Sequence, residues 1–87
     1  MTERTEPGTE ELTHMVRASW QRVLGHEDFG LDSDFFAVGG NSLLVAKIMA
    51  DLSRQLSTRL PMRLFFAGAS VRGIGQSIAE YRGAVQC

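Results

Sequence analysis

A single cysteine, the last residue Cys87, excludes an intramolecular disulfide framework. Zinc-type spacing is missing as well, since His14 and His26 stand twelve residues apart with no thiolate beside either. Both read as ordinary exposed histidines, and no metal site is expected. No apolar run approaches the ~20 residues of a membrane-spanning helix. The opening stretch, Met-Thr-Glu-Arg-Thr-Glu-Pro-Gly-Thr-Glu-Glu, has no apolar core and is not a secretory signal. A cytoplasmic protein without a membrane partner is the expectation. The basic residues are scattered, aromatics are not interleaved among them, and the pI is about 6.1, which argues against nucleic acid. Strand-like alternation, internal repeats and low-complexity tracts are lacking too.

What is present amounts to one domain of 87 residues, 44% hydrophobic and 22% charged. A core this small leaves roughly 5 kcal/mol of margin or less, so a buried catalytic cleft with several positioned groups is not expected. The net charge of −1 hides an asymmetry. Residues 1–41 carry eight carboxylates against three arginines, and residues 42–87 six basic side chains against two acidic ones.

The apolar spacing predicts helices. Residues 1–8 read as a disordered leader ending in Pro7-Gly8. Thr9 is the expected N-cap of a first helix, with Glu10 and Glu11 favourable in its first turn. Leu12, Val16, Trp20, Val23 and Leu24 form one stripe, and Gly25 ends it. Residues 25–41 make a long loop that contains Phe29, Leu31, Phe35, Phe36 and Val38, too apolar for a free linker. Phe35, Phe36 and Trp20 are assigned to the core. A second helix is predicted from Ser42 to about Leu56, facing inward through Leu43, Ala46, Met49 or Ile48, Leu52 and Leu56. Met62–Phe66 suggests a short helical turn. Ser70 is placed to cap a last helix with Val71, Ile74, Ile78 and Tyr81 on one face, stopped by Gly83. The sum is an all-α, small four-helix bundle, with a long ordered loop between helices 1 and 2 and a short third helix. The expected limits are 9–83 for the folded domain and 84–87 for a tail.

The feature with chemical content is Asp34-Phe35-Phe36-Ala37-Val38-Gly39-Gly40-Asn41-Ser42-Leu43-Leu44. A Gly-Gly turn delivers Ser42 to a helix start, where a phosphate is well received. The same spacing also suits Ser42 as a plain helix cap. A nucleophilic serine needs a base, and none is local. Gly39-Gly40-Asn41-Ser42-Leu43 also departs from the nucleophile-elbow pattern.

The run Phe35-Phe36-Ala37-Val38-Gly39-Gly40-Asn41-Ser42-Leu43 resembles the core motif of the peptidyl carrier proteins, the thiolation domains of nonribosomal peptide synthesis. Trp20, Val23-Leu24-Gly25, Asp34, Leu60-Pro61, Phe66 and Val71 fall where the family pattern places similar residues. The likeness covers residues 11–82. Two features depart from it. Asn41 stands where His or Asp is commoner, and Gly68-Ala69-Ser70-Val71 lacks the usual Pro-Thr pair, which should loosen the junction before the last helix.

The resemblance implies an acyl-carrier fold and a non-catalytic carrier. A monomer is expected, and, from the initial Met and the short stretch after the last helix, a freestanding protein is expected over an excised module. Ser42 would bear 4′-phosphopantetheine, transferred covalently from coenzyme A by a phosphopantetheinyl transferase, with Gly39, Gly40 and Asn41 shaping the turn. The arm's thiol would then be loaded by an adenylation enzyme and presented to condensation, tailoring or thioesterase partners. Residues 42–56 carry Lys47 and Arg54 against Asp51, unlike the acidic second helix of fatty-acid carriers, so a peptidyl or aryl carrier is favoured. Val38, Asn41, Leu43, Leu44, Lys47, Met49 and Phe65 are the expected docking residues, with only one of Leu43 and Leu44 able to face inward. The competing expectations are a helical interaction module with Ser42 as a cap and, more weakly, a serine hydrolase.

Overall fold

The computed structural model describes residues 8–86, the last three by backbone alone. Most of the predicted leader, with Cys87, lies outside the described residues. Four helices follow one another: α1 (Thr9–Leu24), α2 (Ser42–Leu56), α3 (Arg63–Phe66) and α4 (Val71–Gln86). α1 packs most extensively against α4 and next against α2, while α3 leans on α4. The α1–α4 crossing is close because Gly75 has no side chain there. A Cβ at that position would stand 2.8 Å from Thr13 Oγ1.

The core is one cluster: Leu12, Val16 and Trp20 from α1, Val45, Ile48, Met49 and Leu52 from α2, and Val71, Ile74 and Ile78 from α4. Phe29 and Phe35 enter from the loop, and Leu60, Leu64 and Phe65 from the α2–α4 connection. Burying each such side chain contributes roughly 1.5–3 kcal/mol. Trp20 is the hub, with ring centroids 5.2 Å from Phe29, 4.9 Å from Phe35 and 6.5 Å from Phe65. Its indole N–H is buried without an acceptor among the described residues.

Gly25 ends α1 as predicted, in the left-handed conformation at φ 80°, with its N–H on Gln21 O. Other expectations are corrected. Thr9 does not cap α1; Gly8 holds that position without a side-chain bond, and Thr9 is already helical. Gly83 does not stop α4, which continues to Gln86, since one glycine costs a helix only about 1 kcal/mol. The buried stripe of α2 is Val45, Ile48, Met49 and Leu52, so Leu43 and Ala46 face outward. Phe36 is 42% exposed and does not join the core as Phe35 does.

The long loop is fastened at several points. Its Leu31 O accepts the N–H of Arg72 in the first turn of α4, and Phe35 N–H donates to Ala69 O at 2.8 Å. Arg72 also pairs with Asp32, whose carboxyl its hydrogen bond and charge hold below the usual range. These bonds fasten the segment at the α3–α4 junction, where the usual proline is missing, to the long loop. Ser70 Oγ caps Gly73 N–H at 3.0 Å. The glycines there serve close approach: a Cβ on Gly73 would lie 2.8 Å from Gly68 O.

Candidate functional site

The site begins with Asp34. Its backbone and side-chain oxygens both receive Ala37 N–H, folding residues 34–38 into a tight turn. Two glycines follow with different tasks. Gly39 has φ 112°, a conformation that side chains resist. Gly40 packs against the ring of Phe35, where a Cβ would approach to 2.2 Å, and its N–H bonds Phe35 O at 3.0 Å. The chain therefore leaves the core aromatic cluster and enters α2 within a few residues.

Asn41, not Ser42, caps α2. Its backbone is extended at φ −151°, and its Oδ1 accepts Leu44 N–H at 3.0 Å. This corrects the expectation of Ser42 as a cap. Ser42 is the first helical residue, exposed, with its hydroxyl relieved of that duty. Among the described residues the N–H groups of Ser42 and Leu43 have no hydrogen-bond partner. The first turn of α2 holds no acidic residue, and Asn41 is neutral. A phosphate ester on Ser42 Oγ would meet open N–H groups, the positive end of a helix and no carboxylate in the first turn of that helix. The residues fit such a group.

The predicted docking residues separate. Leu43 is 65% exposed and Lys47 is exposed, whereas Val38 and Leu44 are half-buried. Met49 at 2% and Phe65 at 0% exposure are core residues, which removes both from the accessible surface. Phe36, Met62 and Phe66 were not foreseen. The rings of Phe36 and Phe66 stack with centroids 6.4 Å apart at 11°, half in solvent. With Leu43 and Met62 they are the exposed large hydrophobics among the described residues. Met62 also borders an open cleft of about 650 Å³ beside α2, floored by Met49 and Leu60 and walled by Ala46, Ala50 and Ser53.

Asp51 braces the back of α2. Its carboxylate accepts from Ser19 Oγ at 2.9 Å, Arg54 at 2.8 Å, Gln55 at 2.9 Å and the guanidinium of Arg22. Burial pushes the carboxyl pKa up, but the bonds from Ser19 and Arg22 and the charges of Arg22 and Arg54 outweigh it and hold it below 3.8. Ser19 itself is fully buried, so α1 and α2 are tied by a polar bond inside the packing.

Residues 15–78 match the family model described as the phosphopantetheine attachment site. The chain belongs to that family. It is 33% identical over 76 residues to the phosphinothricin tripeptide synthetase PhsC of Streptomyces viridochromogenes. That match takes in 87% of this chain and 7% of the synthetase. The chain spans only 1 to 7% of the length of such curated relatives. Among solved structures it is similar to BlmI, a type-II acyl carrier protein of Streptomyces verticillus involved in bleomycin biosynthesis. The TM-score is 0.78 at 26% identity, over 84% of this chain and 88% of that one. A second likeness is to a chain in the complex of the phosphopantetheine transferase Sfp with coenzyme A and a peptidyl carrier protein. There the TM-score is 0.72 at 25% identity, covering 92% of this chain and 99% of that one. The all-helical carrier architecture expected from the Phe35–Leu43 motif is the one observed, and 4′-phosphopantetheine is the group this family attaches. No described helix is long and apolar enough to cross a membrane.

Proposed function

We propose that Ser42 is the attachment point of 4′-phosphopantetheine and that the protein is a peptidyl carrier of nonribosomal peptide biosynthesis. The observation that carries this reading is the freed serine: Asn41 caps α2, and Ser42 stands exposed with open N–H groups around it. When bound, the group supplies a thiol that holds an aminoacyl or peptidyl unit as a thioester. The chain itself performs no bond chemistry in this reading. His26 offers no base to Ser42, since both its ring nitrogens are engaged elsewhere, by Val38 O and Asp28 N–H.

The partners are a phosphopantetheinyl transferase, an adenylation enzyme, and condensation, tailoring or thioesterase enzymes. The peptidyl carrier similar to this chain in the transferase complex supports the first of these. Val38, Asn41, Leu43, Leu44 and Lys47 remain docking candidates, and Phe36, Met62 and Phe66 take the places of Met49 and Phe65. Exposed aromatics and a flexible methionine suit a contact surface that several enzymes share in turn.

The test is intact mass after incubation with coenzyme A, Mg²⁺ and a broad-specificity phosphopantetheinyl transferase, beside Ser42→Ala. Addition of one phosphopantetheine, lost in the variant, is the expected result. A folded protein left unmodified by several transferases would overturn the assignment.

A further inference from the structure

His26 stands at the start of the long loop, one residue past the glycine that ends α1. Its Nδ1 accepts the N–H of Asp28 at 3.0 Å, so that nitrogen carries no proton. Its Nε2 lies 2.9 Å from Val38 O, which can only accept. The two contacts together select one form of the ring, the neutral imidazole protonated on Nε2. The ring is also set edge-on to Phe29, with centroids 6.0 Å apart.

The consequence lies at Gly39. Val38 C=O belongs to the peptide plane before Gly39, and Gly40 N–H to the plane after it. Each plane is fastened by one bond: the first by His26 Nε2–H, the second by Phe35 O at 3.0 Å. Their relative orientation is set by the two backbone torsions of Gly39, of which φ is 112°, at the residue least able to hold a conformation by itself. Among the described residues His26 is the side chain that fixes the first plane.

We propose that His26 is a positioning residue for Ser42: by holding the Val38–Gly39 peptide plane it sets the direction in which α2 presents the serine hydroxyl to the transferase. The proposal rests on Ser42 being the attachment site, and its test separates the two.

The first measurement is a long-range ¹H–¹⁵N spectrum of the histidine rings, with His14→Gln assigning the two. The expected result is a protonated Nε2 and an unprotonated Nδ1 on His26; the opposite tautomer, or an even mixture, overturns the proposal. The second measurement is the steady-state kinetics of phosphopantetheine transfer to wild type, His26→Leu and His26→Gln, all shown folded by circular dichroism. His26→Leu should lower kcat/KM by about three- to tenfold, the range set by losing one hydrogen bond. His26→Gln, which keeps an N–H for Val38 O, should recover most of it. Amide exchange at Gly40 should quicken in His26→Leu alone. A folded His26→Leu with unchanged kinetics and unchanged Gly40 exchange refutes the positioning role. Failure of wild type to be modified at all would strike the Ser42 reading and the positioning role with it, while the ring tautomer and Gly40 exchange would still tell whether His26 holds the Val38–Gly39 peptide plane.

Discussion

Adding one methyl group at Gly40 probes the contact on which the site is built. The new Cβ would lie 2.2, 2.3 and 2.6 Å from Phe35 Cε2, Cδ2 and Cζ. Carbon atoms pack at about 3.5–4.0 Å, so the ring or the turn must move by more than ~1 Å. The ring has nowhere to go. It is fully buried, with Trp20 at 4.9 Å, Phe65 at 5.0 Å and Phe36 at 5.6 Å between centroids. Overpacking of this kind costs about 1–3 kcal/mol, and rigid surroundings favour the upper end. For a domain of this size the melting temperature should fall by on the order of 10 °C. The assay is thermal and urea unfolding followed by circular dichroism, for Gly40→Ala, Phe35→Leu and the double variant. Trimming the ring should relieve the clash, so the double variant should be more stable than the two single costs imply, by about 0.5–3 kcal/mol. A Gly40→Ala protein as stable as wild type, or strictly additive costs, would refute the contact.

Asn41→Ala should cost about 0.5–2 kcal/mol by uncapping α2, read as a lower urea midpoint with unchanged slope. Asp51→Asn should cost about 1–3 kcal/mol at neutral pH through its four donors. Because the folded carboxyl lies below its usual 3.8, the unfolded chain takes up that proton first. The gap between Asp51→Asn and wild type should therefore be full above pH 3.8 and close as the pH falls through the lower folded value; a gap that widens in acid would contradict this. Met49→Asp should unfold the domain or nearly so, because it buries an unpaired charge. Leu43→Asp should leave stability within about 0.5 kcal/mol while slowing loading by a cognate adenylation enzyme, and undiminished loading would remove that face from docking.

The helices and the serine were legible in the sequence because their signals are local. The α1 stripe has one apolar face, and period alone places Leu12, Val16 and Trp20 inside. α2 is apolar on more than one side, so period could not choose between the Leu43–Ala46 and Val45–Ile48 registers; packing on α1 did. Phe35 and Phe36 are adjacent in a turn, where no periodicity says which points inward. The Ser19–Asp51 bond joins residues 32 apart and leaves no local trace. Gly39 and Gly40 read alike as turn residues, yet one is required by its torsion and the other by a ring beneath it. Ser42 and Asn41 exchanged parts for the opposite reason: both residue types cap helices well, and only the backbone conformation shows which one does.

The close contact of Gly40 with Phe35 bears on how far a tethered cargo can roam. A group attached at Ser42 springs from a point two residues removed from the aromatic cluster around Trp20. If that packing holds the base still, the volume swept by a tether is set by the tether's own length and torsions. Effective concentration at a docked enzyme would then depend chiefly on span, with little dilution by movement of the anchor. Loosening the aromatic cluster would enlarge the swept volume and lower the encounter rate, even with the helix, the serine and its attached group intact.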